Sequence, residues 1–212
     1  MPDSPVLLDL DGTIVDSLAD IAASANHVRA TFGLSPLPLA AVRQMVGDGV
    51  TMLLQRALAD APTAIAASDA WPIYDAHHRD QCIREVRPYP GVPETLARWR
   101  SEGRPLAVVT NKPEHFARRI LDHLDLTRFF GAVIGGDSVA ERKPDPAPLR
   151  EALRRLGADA RGGLMAGDGL QDLRAGRAAG LRTAAALYGF RDPASLRAEG
   201  ADEYWVAFGV PE

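Results

Sequence analysis

Five short apolar runs, each followed directly by a polar residue or a glycine, constrain the fold of this chain more than any other feature. They cover residues 6–8, 106–109, 132–134, 164–166 and 183–187. Runs that are apolar throughout, rather than alternating with polar residues, are typical of strands covered on both faces. Amphipathic helical patterns separate most of the runs. The sequence therefore predicts an α/β fold with a doubly wound parallel sheet.

Residues 16–86 interrupt this alternation, because they contain helical patterns and no strand signal. We expect a first helix to begin at a capping box formed by Ser17 and Asp20 and to end before Gly33. A second amphipathic helix is predicted over 50–61. The alanine-rich stretch that follows predicts further helix, with a break or a new start at Pro72.

This interruption predicts two domains. Residues 16–86, called the helical insert below, are expected to form an all-helical domain. Residues 1–15 and 87–212 are expected to form the core domain that contains the sheet.

The composition is that of an ordinary globular protein. The chain has 212 residues, 46% hydrophobic and 25% charged, and one cysteine, so its core can form without disulfides or a structural metal. A net charge of −4 argues against nucleic acid or an anionic membrane as a partner. With no basic leader and no apolar run of about 20 residues, a cytoplasmic location is expected. Monomer and homodimer remain open.

Polar side chains follow the predicted strands at the points where the strands end. In open α/β sheets ligands bind at this carboxyl edge. The candidate site residues there are Asp9, Asp11, Thr110, Asn111, Lys143, Asp168 and Asp172.

The chemistry of this set is coherent. Several carboxylates at one sheet edge repel one another unless a divalent cation and a lysine neutralise them. Oxygen ligands favour Mg²⁺, and a cation with a hydroxyl and an ammonium suits a phosphoryl group. For Asp172 a second interpretation stays open, because its position at the start of a helix also fits simple helix capping.

Lysine usage singles out two positions. Of the 24 basic residues, 22 are arginine, and only Lys112 and Lys143 are lysine. Since a compact ammonium and a planar guanidinium are not interchangeable in a tight site, we expect Lys143 to act at the sheet edge. For Lys112 two interpretations stay open: it has a functional role, or it is a lysine by chance in a chain whose composition favours arginine.

Four segments resemble, in order, the four motifs of the haloacid dehalogenase (HAD) superfamily. They are 9–17 with the pattern Asp9-x-Asp11-Gly12-Thr13, then 110–111, 143–146 and 167–172. The helical insert is similar to the C1-type cap of that superfamily. The resemblance implies a Rossmann-like core and a phosphatase, because superfamily members that dehalogenate lack an acid at the position of Asp11.

The resemblance also implies roles for the site residues. Asp9 would be the nucleophile that forms an aspartyl-phosphate, and Asp11 the general acid and then the general base. Mg²⁺ would be held by Asp9, the backbone carbonyl of Asp11 and Asp168, with Asp172 close by. Thr110, Asn111 and Lys143 would bind the phosphoryl group, and Lys143 would also orient Asp9.

Shorter strings at 46–49, 108–113 and 133–137 resemble those of bacterial phosphoglycolate phosphatases. They imply 2-phosphoglycolate, a small phosphoester, as substrate. The Gly-Asp-Gly turn at 47–49 either offers N–H groups to an anion or is a plain turn between helices. Candidate specificity residues in the helical insert are Arg43, Gln44, Gly47, Asp48 and Gly49.

Other activities remain open beside this one. They are a sugar-phosphate phosphatase, for example on N-acetylmuramic acid 6-phosphate, and a phosphomutase like β-phosphoglucomutase. A phospho-receiver signalling domain is a remote alternative, because receivers need only about 120 residues and carry no such insert.

Overall fold

The computed structural model describes residues 4–212, so the predicted core boundary at residue 1 lies outside the described residues. The strands are β1 (Val6–Leu8), β2 (Val15–Asp16), β3 (Arg87–Pro88), β4 (Leu106–Val109), β5 (Ala132–Ile134), β6 (Leu164–Gly167), β7 (Arg182–Ala186), β8 (Glu203–Ala207) and β9 (Val210–Pro211). The helices are α1 (Leu18–Thr31), α2 (Leu39–Arg43), α3 (Val50–Ala57), α4 (Ala67–Gln81), α5 (Val92–Ser101), α6 (Glu114–His123), α7 (Ala147–Leu156), α8 (Leu170–Ala178) and α9 (Pro193–Glu199), with a 3₁₀ turn at Thr127–Phe129.

The central sheet has seven strands in the order β5-β4-β1-β6-β7-β8-β9. Every neighbouring pair from β5 to β8 is parallel, and only β9 runs antiparallel to its neighbour. The predicted parallel α/β sheet is confirmed. Leu8 of β1 lies opposite Val108 of β4 and Ala166 of β6, so these three strands end at the same level.

Successive residues of β1 point to opposite faces of the sheet, and both faces are covered. Val6 and Leu8 belong to one buried cluster, whereas Leu7 belongs to a second cluster that includes Leu149 and Leu153 of α7. Burial on both sides is the reason that the strand sequences are apolar throughout.

The helical insert contains α1 to α4, which pack on one another. The chain enters the helical insert through β2 and leaves it through β3. These two strands pair antiparallel, with Val15 opposite Pro88. These strands have two residues each, too few to give a sequence pattern. The division into a core domain and a helical domain remains a prediction.

The predicted capping box at the start of α1 was wrong. Ser17 makes no side-chain cap, and its hydroxyl donates to Oδ1 of Asp11 at 2.5 Å. The carboxylate of Asp20 accepts hydrogen bonds from the N–H groups of Glu85 and Val86. Asp20 thus ties the beginning of the helical insert to its end, because those buried N–H groups need an acceptor.

The predicted break at Pro72 was also wrong, since α4 runs through it from Ala67 to Gln81. Pro72 lies in the second turn, where its missing N–H removes one bond of the helix to the carbonyl of Ser68. Helix α3 ends at Ala57, whereas the sequence predicted a helix over 50–61. The sequence of α2 showed no clear helical pattern. None of the helices formed by residues 4–212 combines the length and the apolar character that crossing a membrane requires.

Candidate active site

A cavity lies between the carboxyl ends of β1, β4 and β6 and the helical insert. Its sheet side is lined by Asp9, Asp11, Thr110, Asn111 and Asp168. Residues of α1, α3, α4 and the segment from Arg43 to Gly49 line the opposite side. The structure therefore brings most of the predicted site residues to one cavity, and Lys143 and Asp172 lie behind Asp9 rather than on its wall.

Lys143 is fully enclosed, and three oxygens surround its ammonium. Its Nζ lies 3.0 Å from Oδ1 of Asp9 and 2.5 Å from Oδ1 of Asp172, and it donates to the carbonyl of Val109 at 2.6 Å. Burial alone would lower the pKa of Lys143, but the charges of Asp172 and Asp9 outweigh that effect and raise it. The contact with Asp9 fixes the orientation of that carboxylate, and the predicted contact of Lys143 with a phosphoryl oxygen stays a prediction.

Three buried carboxylates form a cluster beside Lys143. Asp9, Asp168 and Asp172 each place one oxygen within 4.8 Å of the others. Burial, followed by the negative charge of Asp9, raises the pKa of Asp168 to about 8 and that of Asp172 to about 7. One ammonium cannot neutralise three carboxylates, and an all-oxygen donor set fits a hard divalent cation such as Mg²⁺.

Two glycines allow Asp168 to lie where it does. A Cβ on Gly12, which has φ +79°, would lie 2.2 Å from Oδ2 of Asp168, and a Cβ on Gly189 would lie 2.3 Å from its Cβ. The N–H of Phe190 donates to the same carboxylate at 2.6 Å. The position of Asp168 is therefore fixed by its neighbours on both sides.

The side chain of Asp11 lies apart from this cluster. Both of its carboxylate oxygens accept hydrogen bonds from Nζ of Lys112 at 3.1 Å, and Oδ1 also accepts one from Ser17. Of the predicted metal ligands, only Asp11 offers no side-chain oxygen to the group of three carboxylates. The resemblance assigned its backbone carbonyl to the metal, and the side-chain position is compatible with that assignment.

Thr110 and Asn111 differ in what they can still bind. The Thr110 oxygen accepts from the N–H of Lys112 at 3.2 Å, which leaves its hydroxyl proton available. The side-chain amide of Asn111 donates to the carbonyls of Gly47 and Lys143, both at 3.0 Å. Among residues 4–212 no acceptor is bonded to the backbone N–H of Asn111, so that group can still bind an anion.

The segment before α3 contacts the core in two ways. The guanidinium of Arg43 donates to the carbonyls of Gly189 and Phe190 at 2.6 and 2.8 Å. The carbonyl of Gly47 accepts from Asn111 and from Gln171. This segment is therefore held over the cavity by polar contacts.

The predicted specificity residues do not all face the cavity. Arg43, Gln44, Gly47 and Gly49 line it. Asp48 instead pairs with Nη2 of Arg56 at 2.5 Å.

Several residues of the site were not assigned from the sequence. Gln171, Phe190, Tyr74 and His78 all line the cavity. Tyr74 and His78 are four residues apart on α4, a spacing that also describes ordinary core packing. For Lys112 the rarity of lysine was a usable signal, and its contact with Asp11 favours the functional interpretation.

A comparison with protein families identifies the family of the chain. The family model described as haloacid dehalogenase-like hydrolase matches residues 6–186. The chain belongs to this family. The match extends from the first residue of β1 to the last residue of β7, so it includes every predicted catalytic and metal-binding residue of this HAD-like hydrolase.

Curated relatives match the HAD-like hydrolase over nearly its whole length. A phosphoglycolate phosphatase of Neisseria meningitidis is 38% identical, covering 98% of this chain and 90% of the relative. A plasmid-encoded phosphoglycolate phosphatase of Cupriavidus necator is 40% identical, covering 95% and 88%. The crystal structure of a predicted phosphoglycolate phosphatase from Haemophilus somnus has a TM-score of 0.88 and 29% identity, covering 98% of this chain and 96% of that one.

Proposed function

We propose that this HAD-like hydrolase is a Mg²⁺-dependent phosphatase that converts 2-phosphoglycolate to glycolate and phosphate. The observation that carries the proposal is the cluster of Asp9, Asp168 and Asp172 around Lys143, with Asp11 facing the same cavity. The substrate is suggested by the relatives, two of which are phosphoglycolate phosphatases.

The cation would be held by Asp9, Asp168 and the backbone carbonyl of Asp11, with Asp172 beside them. When bound, Mg²⁺ supplies positive charge that neutralises the carboxylates and polarises a phosphoryl oxygen. The hydroxyl of Thr110 and the N–H of Asn111 would bind the other phosphoryl oxygens.

The proposed reaction has two steps. In the first, the free carboxylate oxygen of Asp9 forms a bond to phosphorus while the ester P–O bond breaks, and Asp11 gives a proton to the leaving oxygen. In the second, Asp11 takes a proton from a water molecule whose oxygen attacks phosphorus, and the carboxylate of Asp9 leaves. Lys143 keeps Asp9 oriented in both steps.

The helical insert would act as a cap over this chemistry. It supplies one side of the cavity, and Arg43 reaches the loop that holds Asp168. Closing the cavity would exclude bulk water and strengthen the electrostatic interactions at the phosphoryl group. On this proposal the core domain is 1–15 with 87–212, and the cap domain is 16–86.

The experiment is phosphate release, with Mg²⁺ and with EDTA, from 2-phosphoglycolate, sugar phosphates, N-acetylmuramic acid 6-phosphate and pyridoxal phosphate. We expect a Mg²⁺-dependent preference for 2-phosphoglycolate of about a hundredfold, which corresponds to ~2.7 kcal/mol. Mg²⁺-dependent release with another preferred ester would keep the chemistry and change the substrate. Isomerisation of a sugar phosphate in place of release would indicate a phosphomutase.

The nucleophile is tested by Asp9→Asn, which should abolish turnover without unfolding the chain. Asp69→Asn is the matched control, since Asp69 is exposed and lies outside the cavity, and it should keep the parent rate. Full activity of Asp9→Asn would exclude the covalent mechanism.

A further inference from the structure

The cavity has a second polar region beside Asp11, whose side chain lies outside the carboxylate cluster. It is formed by Lys112, which precedes α6, and by Tyr74 and His78 of α4, and we call these three residues the inner recess. All three line the same cavity as Asp9 and Asp11. Phe116 packs edge-on against His78, with ring centroids 4.8 Å apart, and makes the adjoining wall apolar.

One buried polar atom of the inner recess lacks a partner among residues 4–212. Nδ1 of His78 lies 2.8 Å from the hydroxyl of Ser24, but Nε2 is buried and has no hydrogen-bond partner among residues 4–212. The described residues likewise give the Tyr74 hydroxyl no partner, and they give Nζ of Lys112 no acceptor other than Asp11. Since buried polar groups in proteins are nearly always paired, the unpaired Nε2 of His78 points to a ligand.

The charge of the inner recess defines which ligand would fit. Burial, reinforced by the positive charge of Lys112, lowers the pKa of His78 well below its usual value, so the imidazole is neutral. Burial raises the pKa of Tyr74, so its hydroxyl keeps its proton. One ammonium and two neutral groups that can donate hydrogen bonds form a site for a small anion.

We propose that the inner recess binds the carboxylate of the substrate and thereby selects phosphoesters of a two-carbon acid. This inference rests on the proposed function, because it takes the phosphoryl group to lie at Asp9. Asp11, which would protonate the ester oxygen, is 3.1 Å from Lys112. In 2-phosphoglycolate a single methylene carbon separates that oxygen from the carboxylate, so the two anionic ends of the molecule reach Asp9 and Lys112 together.

Arg43 is the competing cation, because it also lines the cavity. Its guanidinium donates to the carbonyls of Gly189 and Phe190, in the loop beside Asp168. Those contacts make Arg43 a link between the helical insert and the core. Among residues 4–212 the ammonium of Lys112 donates to the carboxylate of Asp11 and to no backbone carbonyl, and it lines the same cavity as His78.

The test compares 2-phosphoglycolate with 2-hydroxyethyl phosphate, which has a primary alcohol in place of the carboxylate. We expect Lys112→Met to lower the ratio of the two kcat/KM values by about 30-fold, as loss of a charge-assisted hydrogen bond does. Arg119→Met is the matched control, because Arg119 lies on α6, is half exposed and pairs with Asp80 outside the cavity. Its ratio should be that of the parent chain.

The outcomes separate this inference from the function on which it rests. If the parent chain releases phosphate from neither ester, the proposed function fails. If the parent chain uses both esters equally, or if Lys112→Met lowers both equally, the phosphatase stands and the inner recess does not bind the carboxylate. A ratio lowered by Arg43→Met and unchanged by Lys112→Met would also overturn the inference.

A binding measurement and a second variant guard against loss of the fold. In an Asp9→Asn background, calorimetry should show that 2-phosphoglycolate binds about 30-fold more weakly when Lys112→Met is added. Circular dichroism verifies folding. If Lys112→Met does not fold, Tyr74→Phe tests the inference by itself, because it removes only a hydroxyl. We expect Tyr74→Phe to lower the ratio of the two kcat/KM values about fivefold. An unchanged ratio overturns the inference.

Discussion

The ammonium of Lys143 lies 2.5 Å from the carboxylate of Asp172, and solvent reaches neither side chain. Removing two charges from water usually costs more free energy than their attraction recovers in the protein interior. Stability alone is therefore a weak reason for this arrangement. The same ammonium contacts Asp9. We interpret the pair as a support that holds the nucleophile in place.

The first prediction concerns this support. Lys143→Met should lower kcat by about 10² to 10³-fold, because Asp9 loses its orientation and the site loses a positive charge. It should also lower the free energy of unfolding of the metal-free chain by about 3–5 kcal/mol, because two buried carboxylates lose their partner. Steady-state kinetics and urea unfolding measure the two effects.

An exposed arginine provides the control for that prediction. Arg154 pairs with Glu151 on the surface of α7, and its side chain is 72% exposed. Arg154→Met should therefore change the free energy of unfolding by less than about 1 kcal/mol and leave kcat unchanged. Similar losses in both variants would show that Lys143 has no special role.

The second prediction concerns the glycine next to Asp168. Gly12→Ala should displace the carboxylate, since the new Cβ would lie 2.2 Å from Oδ2 of Asp168. We expect Mg²⁺ affinity to fall by about 10- to 100-fold. Gly103→Ala is the control, because Gly103 has nearly the same φ, +78°, and nothing within 4 Å of its Cβ position. Both variants carry backbone strain of about 1–2 kcal/mol, but only Gly12→Ala should lose Mg²⁺, as measured by calorimetry.

The third prediction concerns pH. The pKa of Asp168 is raised from 3.8 to about 8 in the folded chain, so between these values the folded chain holds a proton that the unfolded chain has lost. The contribution to stability is present below pH 4 and is lost as the pH rises through 8. The Tm of the metal-free protein should therefore fall between pH 7 and 8.5.

Mg²⁺ should oppose that fall, because it replaces the proton at the carboxylates. At a Mg²⁺ concentration of about 100 Kd the stabilisation is about 2.7 kcal/mol, or roughly 5–10 °C in Tm for a chain of this size, and the increment should be larger at pH 8.5 than at pH 7. Asp168→Asn removes one of the two carboxyl groups with a raised pKa, so it should make the metal-free fall of Tm smaller, and Asp172 accounts for the rest. Scanning calorimetry measures both. A metal-free Tm that rises over this range would contradict the assignment.

The fourth prediction concerns the contact of Arg43 with the core. Arg43→Met removes hydrogen bonds to the carbonyls of Gly189 and Phe190, so the helical insert should close less firmly over the substrate. We expect kcat/KM to fall about tenfold, equally for 2-phosphoglycolate and 2-hydroxyethyl phosphate. Arg79→Met, which removes only an exposed pair with Asp75, should keep the parent value.

The parts of the site that the sequence predicted follow from one rule. Asp9 and Thr110 come directly after apolar runs and Asp168 follows one after a single glycine, and parallel strands bring their carboxyl ends to one edge. Local sequence therefore sufficed to place them together. Lys143 was identified by residue type and motif rather than by a strand; the resemblance implied that it orients Asp9, but its contacts with Asp172 and the carbonyl of Val109 were not foreseen.

The rest depended on packing between distant segments. Nothing local distinguishes His78 from a core histidine, because its role depends on how α4 packs against α1 and which atoms remain unpaired. The amide of Asn111 is a donor in any conformation, but only the folded chain shows that the carbonyls of Gly47 and Lys143 occupy it. Asp48 was a candidate specificity residue because it lies between Gly47 and Gly49 in the sequence. Only the folded chain shows that it pairs with Arg56.

The strand order β4-β1-β6 has a consequence for the protein during its synthesis. Strand β1, which leads to the nucleophile, is made first, yet both of its neighbours in the sheet come from much later segments. Until β6 emerges from the ribosome, Asp9 has neither its lysine support in place nor the carboxylate of Asp168. In a nascent chain Asp9 is therefore unreactive. Phosphate release can begin only after the C-terminal half has been made and β4 and β6 have paired with β1.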